Sequence, residues 1–163
     1  MMADQGLDPL PDGQPLRDPD GENCFSLEFI TPPHHFFLNS AFNEIDRLRE
    51  RAGQARVMIH PETARTRGIA DGDLVRVFNK RGECGFLAHV TDDTQTGLLV
   101  AEGLHWPCLS PGGGANQLTS QRLTDMGETC AFHCSLVEVQ PGGNRKRTSR
   151  PCNQESRNPN CGD

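Results

Sequence analysis

The chain has 163 residues, which is enough for one domain. Apolar residues make up 34% of the sequence and the mean hydropathy is −0.59, so the apolar content is lower than that of an ordinary globular protein. The net charge of −6 gives no indication of a nucleic-acid-binding surface, and no apolar run is long enough to span a membrane.

Both ends of the chain differ in composition from its middle. Residues 1–23 are rich in aspartate and proline, and residues 141–163 are basic and contain no large aliphatic side chain. Such segments bury too little apolar surface to offset the entropy lost on ordering. The sequence therefore predicts a disordered acidic tail over residues 1–23, a folded body over residues 24–140 and a disordered basic tail over residues 141–163.

The seven cysteines predict a reducing environment. Their number is odd, and the first residues lack the charged and apolar regions of a secretory signal peptide, so we expect free thiols and a cytoplasmic location. Cys130 and Cys134, with His133 between them, could indicate a metal site. No second ligand pair at zinc-site spacing lies nearby, and alternation over residues 132–139 favours a strand, so no metal site is predicted.

Two strands and a helix are predicted in the first part of the body. Alternating apolar residues indicate strands over residues 24–30 and 56–59, and two consecutive prolines end the first of them because proline offers no hydrogen-bond donor. An amphipathic helix is predicted over residues 42–51. Its apolar face is expected to contain Phe42, Ile45 and Leu48.

Residues 60–82 predict a helical turn, a tight corner and a strand. Proline after His60 suits the first helical position, and His60 is expected to cap this turn rather than bind a ligand. Gly72 lies between two aspartates and is expected to make a corner with positive φ. Strands follow over residues 74–78 and 83–90, joined by a tight turn.

The last part of the body adds two strands, over residues 97–101 and 132–139, with a short helix over residues 121–126 between them. Periodicity alone predicts only a mostly-β fold. The presence of about six short strands with one or two small helices favours a closed barrel.

A polar loop over residues 105–120 contains three consecutive glycines. Glycine lets the backbone approach a ligand closely and direct N–H groups toward it. The amide of Asn116 can donate and accept at once, as the edge of a polar heterocycle requires, and Thr119 could contact a phosphate or cap a helix. A flexible loop with a helix cap is the alternative interpretation, and no Lys-Ser or Lys-Thr pair follows to make a P-loop.

Three segments, in this order, resemble the carboxyl-terminal dinucleotide-binding domain of the molybdopterin oxidoreductases, the family that includes formate dehydrogenases, nitrate reductases and dimethyl sulfoxide reductases. They are the loop over residues 31–40, the helix–corner–strand segment over residues 60–82, and the Gly-Ala-Asn-Gln-Leu-Thr element over residues 114–119. The resemblance implies a six-stranded double-psi β-barrel with one or two short helices, serving as a formate dehydrogenase-like oxidoreductase module.

The resemblance also implies a ligand and the residues that bind it. The implied cofactor is molybdopterin guanine dinucleotide, whose molybdenum or tungsten is bound through the cofactor and not by this chain. The candidate cofactor-binding residues are Thr31, His34, Asn39, Ser40, His105, Gly114, Asn116 and Thr119. No catalytic residue and no metal ligand is expected in this chain.

Two features of a complete molybdopterin enzyme are missing. The chain contains no Cys-x2-Cys-x3-Cys run for an iron–sulfur cluster, and it has no room for further catalytic domains. It is therefore interpreted as a subunit or carboxyl-terminal fragment that is not catalytic alone, with the catalytic domains or large subunit of a molybdopterin oxidoreductase as its partner. The alternative is a double-psi barrel that serves as a protein-interaction module without a cofactor. The corner at Gly72 occurs in both, whereas the loop that carries Asn116 favours the first.

Overall fold

A computed structural model describes the protein at residues 25–103, 105–108, 110, 112–121, 123, 129–130, 133 and 135–142. The predicted tails lie outside these residues except for Pro141 and Gly142, so the division into tails and body stays a prediction. Within the described ranges, no helix is long and apolar enough to cross a membrane.

Six strands form the body of the molecule and close into a barrel. They are β1 (Leu27–Ile30), β2 (Arg56–Ile59), β3 (Leu74–Phe78), β4 (Glu83–Val90), β5 (Leu98–Val100) and β6 (Ser135–Pro141). Their order around the barrel is β1-β5-β2-β4-β3-β6. This arrangement confirms the predicted mostly-β closed barrel, while the double-psi topology stays a prediction.

The barrel interior is filled by every second residue of each strand, as the two-residue period of a strand requires. Burying a Val, Leu, Ile or Phe side chain in this way contributes about 1.5–3 kcal/mol. The inward-facing apolar strand residues with at most 2% of their surface exposed are Leu27, Phe29, Val57, Ile59, Val75, Val77, Cys84, Ala88, Leu99, Val137 and Val139.

Among the described residues, two α-helices lie outside the strands, α1 (Asp46–Ala52) and α2 (Pro61–Thr66), and a short 3-10 helix covers Ala115–Gln117. The start of α2 is the predicted one: Pro61 is at its first turn, and the Nδ1 atom of His60 accepts a hydrogen bond from the Glu62 N–H at 3.2 Å. His60 is thus a helix cap, as the sequence predicts. The helix predicted over residues 121–126 lies mostly outside the described residues.

The amphipathic helix predicted over residues 42–51 is wrong in its start and in its apolar face. The helix begins only at Asp46 and contains no buried residue. Phe42 and Ile45 are each 41% exposed. Phe42 has a φ of 74°, which a right-handed helix does not allow, so residues 38–45 form turns before α1 begins.

The directions of the strands place three connections at one end of the barrel. β1 and β5 are parallel, β2 and β4 are parallel, and all other neighbouring pairs are antiparallel. Consequently β1, β3 and β5 all finish at the same end, which we call the loop end. It carries the first loop (residues 31–40), the β3–β4 turn (residues 79–82) and the second loop (residues 105–120).

The opposite end carries α2 and the corner at Gly72. Gly72 has a φ of 82°, and its N–H donates to the Ala88 carbonyl at 2.9 Å. The Asp73 carboxylate accepts from the Ala70 N–H at 2.8 Å, and the Asp71 carboxylate accepts from the Val90 N–H at 2.8 Å. The bond from the Val90 N–H is the main reason why the pKa of Asp71 lies below its ordinary value.

We expect Gly72→Val to lower the free energy of unfolding by about 1–3 kcal/mol, because a β-branched residue is strained at this φ. A side chain at this position would meet no other atom within 4 Å, so the cost isolates the backbone conformation. Urea denaturation would measure it, with Ala70→Val as a control at a neighbouring exposed position. An unchanged midpoint for Gly72→Val would contradict this account of the corner.

Candidate functional site

The first and second loops leave the barrel side by side. The parallel pairing of β1 and β5 continues beyond the strands, since the Ile30 carbonyl accepts from the Ala101 N–H at 3.0 Å and the Pro32 carbonyl accepts from the Gly103 N–H at 2.9 Å. The starts of the two loops are therefore fixed to each other by backbone hydrogen bonds. Thr31, the first candidate residue, lies between these two bonds.

Three aromatic rings join the loops just beyond this point. The ring centroid of His34 lies 5.0 Å from that of Phe37 and 5.8 Å from that of His105, and Phe37 lies 5.3 Å from His105. Phe37 is buried. Gly103 allows this approach, because a Cβ atom there would lie 2.5 Å from the Cβ of His34.

The two histidines of this cluster favour the neutral form. Burial is the main cause that lowers the pKa of His34 below its ordinary value of 6.5, and the nearby Glu102 carboxylate partly opposes it. Burial also lowers the pKa of His105, with a further contribution from His34. Because Nδ1 of His34 accepts from the Phe36 N–H at 3.1 Å, the neutral ring carries its proton on Nε2.

The rings of His34 and His105 border a groove of about 280 Å³ on the outer wall of the barrel. Met58 and Val100, which are directly paired on β2 and β5, line its apolar part. Arg56 and Glu102 also line the groove and contribute charges of opposite sign. The groove thus combines an apolar surface with imidazole N–H groups and a guanidinium, as sites for polar heterocycles and anions do.

The end of the first loop contacts the second loop through Trp106. Its indole Nε1–H donates to the Ser40 carbonyl at 2.7 Å, and its backbone N–H donates to Oδ1 of Asn43 at 3.4 Å. Asn43 is completely buried. The side chains of Asn39 and Ser40 are exposed, and Asn39 has a φ of 53°, a conformation that asparagine tolerates better than most residues.

The far part of the second loop packs on the β3–β4 turn instead. Leu118 is fully buried, and its carbonyl accepts from Nδ2 of Asn79 at 2.8 Å and from Nε of Arg81 at 3.1 Å. The Sγ–H of Cys84 donates to the Gly113 carbonyl at 3.2 Å. Leu118 therefore anchors the segment that carries the remaining candidate residues.

Asn116 stands out from this anchored segment. Its side chain is exposed, and among the described residues none is hydrogen-bonded to its amide. Its backbone carbonyl accepts from Oγ1 of Thr119 at 3.0 Å, which closes the turn that holds it. The hydroxyl of Thr119 is thus used within the loop, whereas the amide of Asn116 is available to a ligand.

The structure brings all eight candidate residues to the loop end, in two groups. Thr31, His34, Asn39, Ser40 and His105 belong to the contact between the two loops, whereas Gly114, Asn116 and Thr119 lie over the β3–β4 turn. Gly114 links the groups, because a Cβ on it would lie 3.3 Å from Cγ of Pro107. That these residues bind a cofactor stays a prediction.

Sequence reasoning missed several residues at this end, namely Asn43, Arg56, Met58, Glu102 and Trp106 as a contact of Ser40. The outward positions of Arg56 and Met58 follow from strand alternation, but their grouping depends on strand order. No sequence pattern indicates that Asn43 is buried or that it contacts the second loop. Across the part of the chain that is described, no group of three or more His, Cys, Asp or Glu side chains could hold a metal ion.

Comparison with known proteins identifies the family to which the chain belongs. The family model "Molydopterin dinucleotide binding domain" matches residues 27–136, which includes nearly the whole barrel and both loops. This chain belongs to the molybdopterin dinucleotide-binding domain family, and it is a cofactor-binding module related to the molybdopterin oxidoreductases.

Individual relatives are several times longer than this chain. It is 32% identical over 139 residues to the probable oxidoreductase YoaE of Bacillus subtilis (strain 168), covering 85% of this chain and 20% of that protein. It is 37% identical over 98 residues to biotin sulfoxide reductase of Cereibacter sphaeroides (56% and 13%), and 31% identical over 143 residues to dimethyl sulfoxide reductase DmsA of Escherichia coli (strain K12) (82% and 17%). The chain thus spans a fifth or less of these relatives.

A solved structure has the same fold. Acetylene hydratase from Pelobacter acetylenicus superposes with a TM-score of 0.71 at 18% sequence identity, covering 86% of this chain and 22% of that one. At this level of identity the similarity concerns the fold alone.

The contact between Gly103 and His34 can be tested with matched glycine substitutions. Gly103 has a φ of 79°, and Gly53 has a φ of 70° with nothing within 4 Å of a Cβ. Both alanine variants carry the backbone penalty, but only Gly103→Ala also forces the two loops apart. We expect Gly103→Ala to lower the free energy of unfolding by about 1–3 kcal/mol more than Gly53→Ala, measured by urea denaturation. Equal losses would contradict the close approach.

The neutral histidines predict how stability depends on pH. Because the folded-state pKa values of His34 and His105 lie below 6.5, the unfolded chain binds protons first, and their stabilising contribution is complete above this pH and falls below it. We expect the urea midpoint to drop between about pH 7 and about pH 5.5, and to drop less in His105→Gln. Glu102→Gln should steepen the drop, because it removes the carboxylate that supports protonation of His34. Identical slopes in all three proteins would contradict this prediction.

Proposed function

We propose that this chain positions a molybdopterin guanine dinucleotide for redox catalysis by other domains of a molybdenum or tungsten oxidoreductase. The observation that carries the proposal is that eight candidate residues, drawn from two loops far apart in sequence, lie at one end of a barrel of the dinucleotide-binding family. The cofactor's metal centre supplies the electron-transfer chemistry when it is bound, and this chain binds and orients the organic part.

The chemistry of the loop end suits such a ligand. A pyrophosphate needs N–H and O–H donors, and the hydroxyls of Thr31 and Ser40 and the Nε2–H of His34 supply them. The heterocycles need paired donors and acceptors beside an apolar surface. The free amide of Asn116 meets the first need, and the groove wall formed by Met58 and Val100 meets the second.

The length of the relatives supports the proposed partner. Since the chain spans a fifth or less of the oxidoreductases it matches, we propose that the catalytic domains or large subunit of such an enzyme cover the loop end. A cytoplasmic location, a formate dehydrogenase-like activity and the choice between molybdenum and tungsten stay predictions.

A protein-interaction module without a cofactor is the second candidate function. Exposed apolar side chains near the loop end favour it: Leu38 is 64% exposed, and Phe42 and Ile45 are each 41% exposed. Exposed apolar clusters bordered by polar residues are typical of protein contacts. The same side chains would also serve the first function as a contact to the catalytic partner, so ligand binding distinguishes the two.

We expect the purified chain to bind GDP, which carries the guanine and the pyrophosphate of the cofactor, more tightly than CDP or inorganic pyrophosphate. Asn116→Ala should weaken GDP binding by about tenfold, since leaving a polar partner of the base unpaired costs about 1–3 kcal/mol. Isothermal titration calorimetry would measure both. Lys80→Ala, an exposed change on the neighbouring β3–β4 turn, is the matched control and should leave the Kd unchanged.

The same variants apply to the intact oxidoreductase. Asn116→Ala should lower its pterin content, measured by fluorescence of the released oxidised pterin, while the far-ultraviolet circular dichroism of the isolated chain stays the same. Lack of GDP binding together with full pterin retention in Asn116→Ala would remove this site and favour the interaction module.

A further inference from the structure

We propose that Asn43 and Trp106 form a clasp that fixes the first loop against the second and so prepares the loop end for its ligand. The clasp consists of Ser40, Asn43 and Trp106. The proposal rests on the proposed function, because it makes Asn43 and Trp106 positioning residues for the candidate site.

The centre of the clasp is the backbone carbonyl of Ser40, which accepts one hydrogen bond from the second loop and one from a residue close to it in sequence. The Ser40 carbonyl accepts from the indole Nε1–H of Trp106 at 2.7 Å and from Nδ2 of Asn43 at 3.3 Å. Oδ1 of Asn43 accepts in turn from the Trp106 backbone N–H at 3.4 Å. Ser40, Asn43 and Trp106 thereby form a closed ring of three hydrogen bonds across a sequence separation of more than sixty residues.

Burial makes this ring costly to open. Asn43 is 0% exposed, and a buried amide that loses its partners bears the full cost of its desolvation. A second contact ties the ring to α1, because NH1 of Arg49 donates to the Asn43 carbonyl at 3.2 Å. The clasp therefore joins the second loop to α1 as well as to the first loop.

The segment that the clasp holds, residues 38–42, contains strained backbone conformations. Asn39 and Phe42 have φ values of 53° and 74°, and the left-handed conformation of a bulky residue such as Phe42 costs about 1–3 kcal/mol. The Ala41 N–H donates to the Leu38 carbonyl at 2.9 Å, which closes a tight turn within this segment. Contacts outside this segment must offset the strain.

The clasp also divides the polar groups of this segment between two uses. It takes up the carbonyl of Ser40 and the whole side chain of Asn43, and it leaves the side chains of Asn39 and Ser40 exposed. A loop fixed in this way loses less conformational freedom when a ligand arrives. Asn43 and Trp106 would thus raise affinity without touching the ligand.

Trp106→Phe tests the clasp by removing the indole N–H while keeping an aromatic ring. In the full chain without ligand, we expect amide hydrogen exchange at Ala41 to become about tenfold faster, in line with the loss of one hydrogen bond. GDP binding should weaken by about fivefold to tenfold for the same reason, and the urea midpoint should fall by no more than the loss of this one hydrogen bond explains. Ser26→Ala is the matched control, since it removes a serine hydroxyl bonded to Glu138 and Arg67 at the opposite end of the barrel.

Asn43→Ala provides an independent readout. Trp106 is the only tryptophan in the chain, so its fluorescence reports on the clasp directly, and its emission should shift to longer wavelength in this variant. Exchange of the Trp106 amide should accelerate, and the double variant with Trp106→Phe should weaken GDP binding less than the two single effects combined, because both act through one ring of bonds.

The possible outcomes distinguish failure of the clasp proposal from failure of the proposed function. Unchanged exchange at Ala41 in Trp106→Phe, or equal acceleration in Ser26→Ala, would overturn the clasp. Weaker GDP binding with unchanged exchange would also overturn it, since Trp106 would then contact the ligand itself. If the wild-type chain binds no GDP, the proposed function is contradicted, while the exchange and fluorescence results still decide the clasp.

Discussion

The arrangement of the loop end depends on the parallel pairing of β1 with β5. These strands are separated by nearly seventy residues, yet their register aligns Ile30 with Val100, and the hydrogen bonds continue into both loops through Ala101 and Gly103. A slip of one residue would turn the side chains of a strand to its other face and would separate the two loops. The buried side chains of the barrel hold this register, so the core of the protein determines where its candidate ligand-binding groups lie.

The loop end combines groups that are satisfied internally with groups that are left open. Carbonyls and buried amides are used within the protein, as at Ser40 and Leu118, where each carbonyl accepts two hydrogen bonds. The side chains of Asn39 and Asn116 are exposed to solvent. His34 and His105 lie between these classes, because burial keeps them neutral while they border the groove. This division suits a cofactor-binding module.

Much of the barrel could be predicted from sequence, because the relevant signals are local. Alternation predicted β2, β3 and β4 with their observed ends. Pro61 indicated the start of α2, and Gly72 indicated the corner before β3. The helix predicted from residue 42 failed because Phe42 has a left-handed backbone conformation, which periodicity cannot reveal. At the candidate site, resemblance pointed to two loops that the structure places at one end of the barrel, and their binding of a cofactor stays a prediction. The grouping of His34 with His105 depends on strand order, and Asn43 is hydrogen-bonded to Trp106, sixty-three residues away.

The attachment of Leu118 to the β3–β4 turn makes the length of that turn critical. Asn79 and Arg81 both donate to its carbonyl, and Gly82 lies against Gln117 so closely that a Cβ would be 3.1 Å from the Gln117 carbonyl oxygen. One added residue in this turn would displace the glycine-rich segment and with it the amide of Asn116. The β4–β5 connection lies at the opposite end, and Asp92 and Asp93 are exposed there. Their side chains contact only His60 and Thr91 among the described residues, both of which lie at that same end. Affinity tags, fluorophores or fused domains therefore belong between these two aspartates, where they extend the chain without changing the geometry of the loop end.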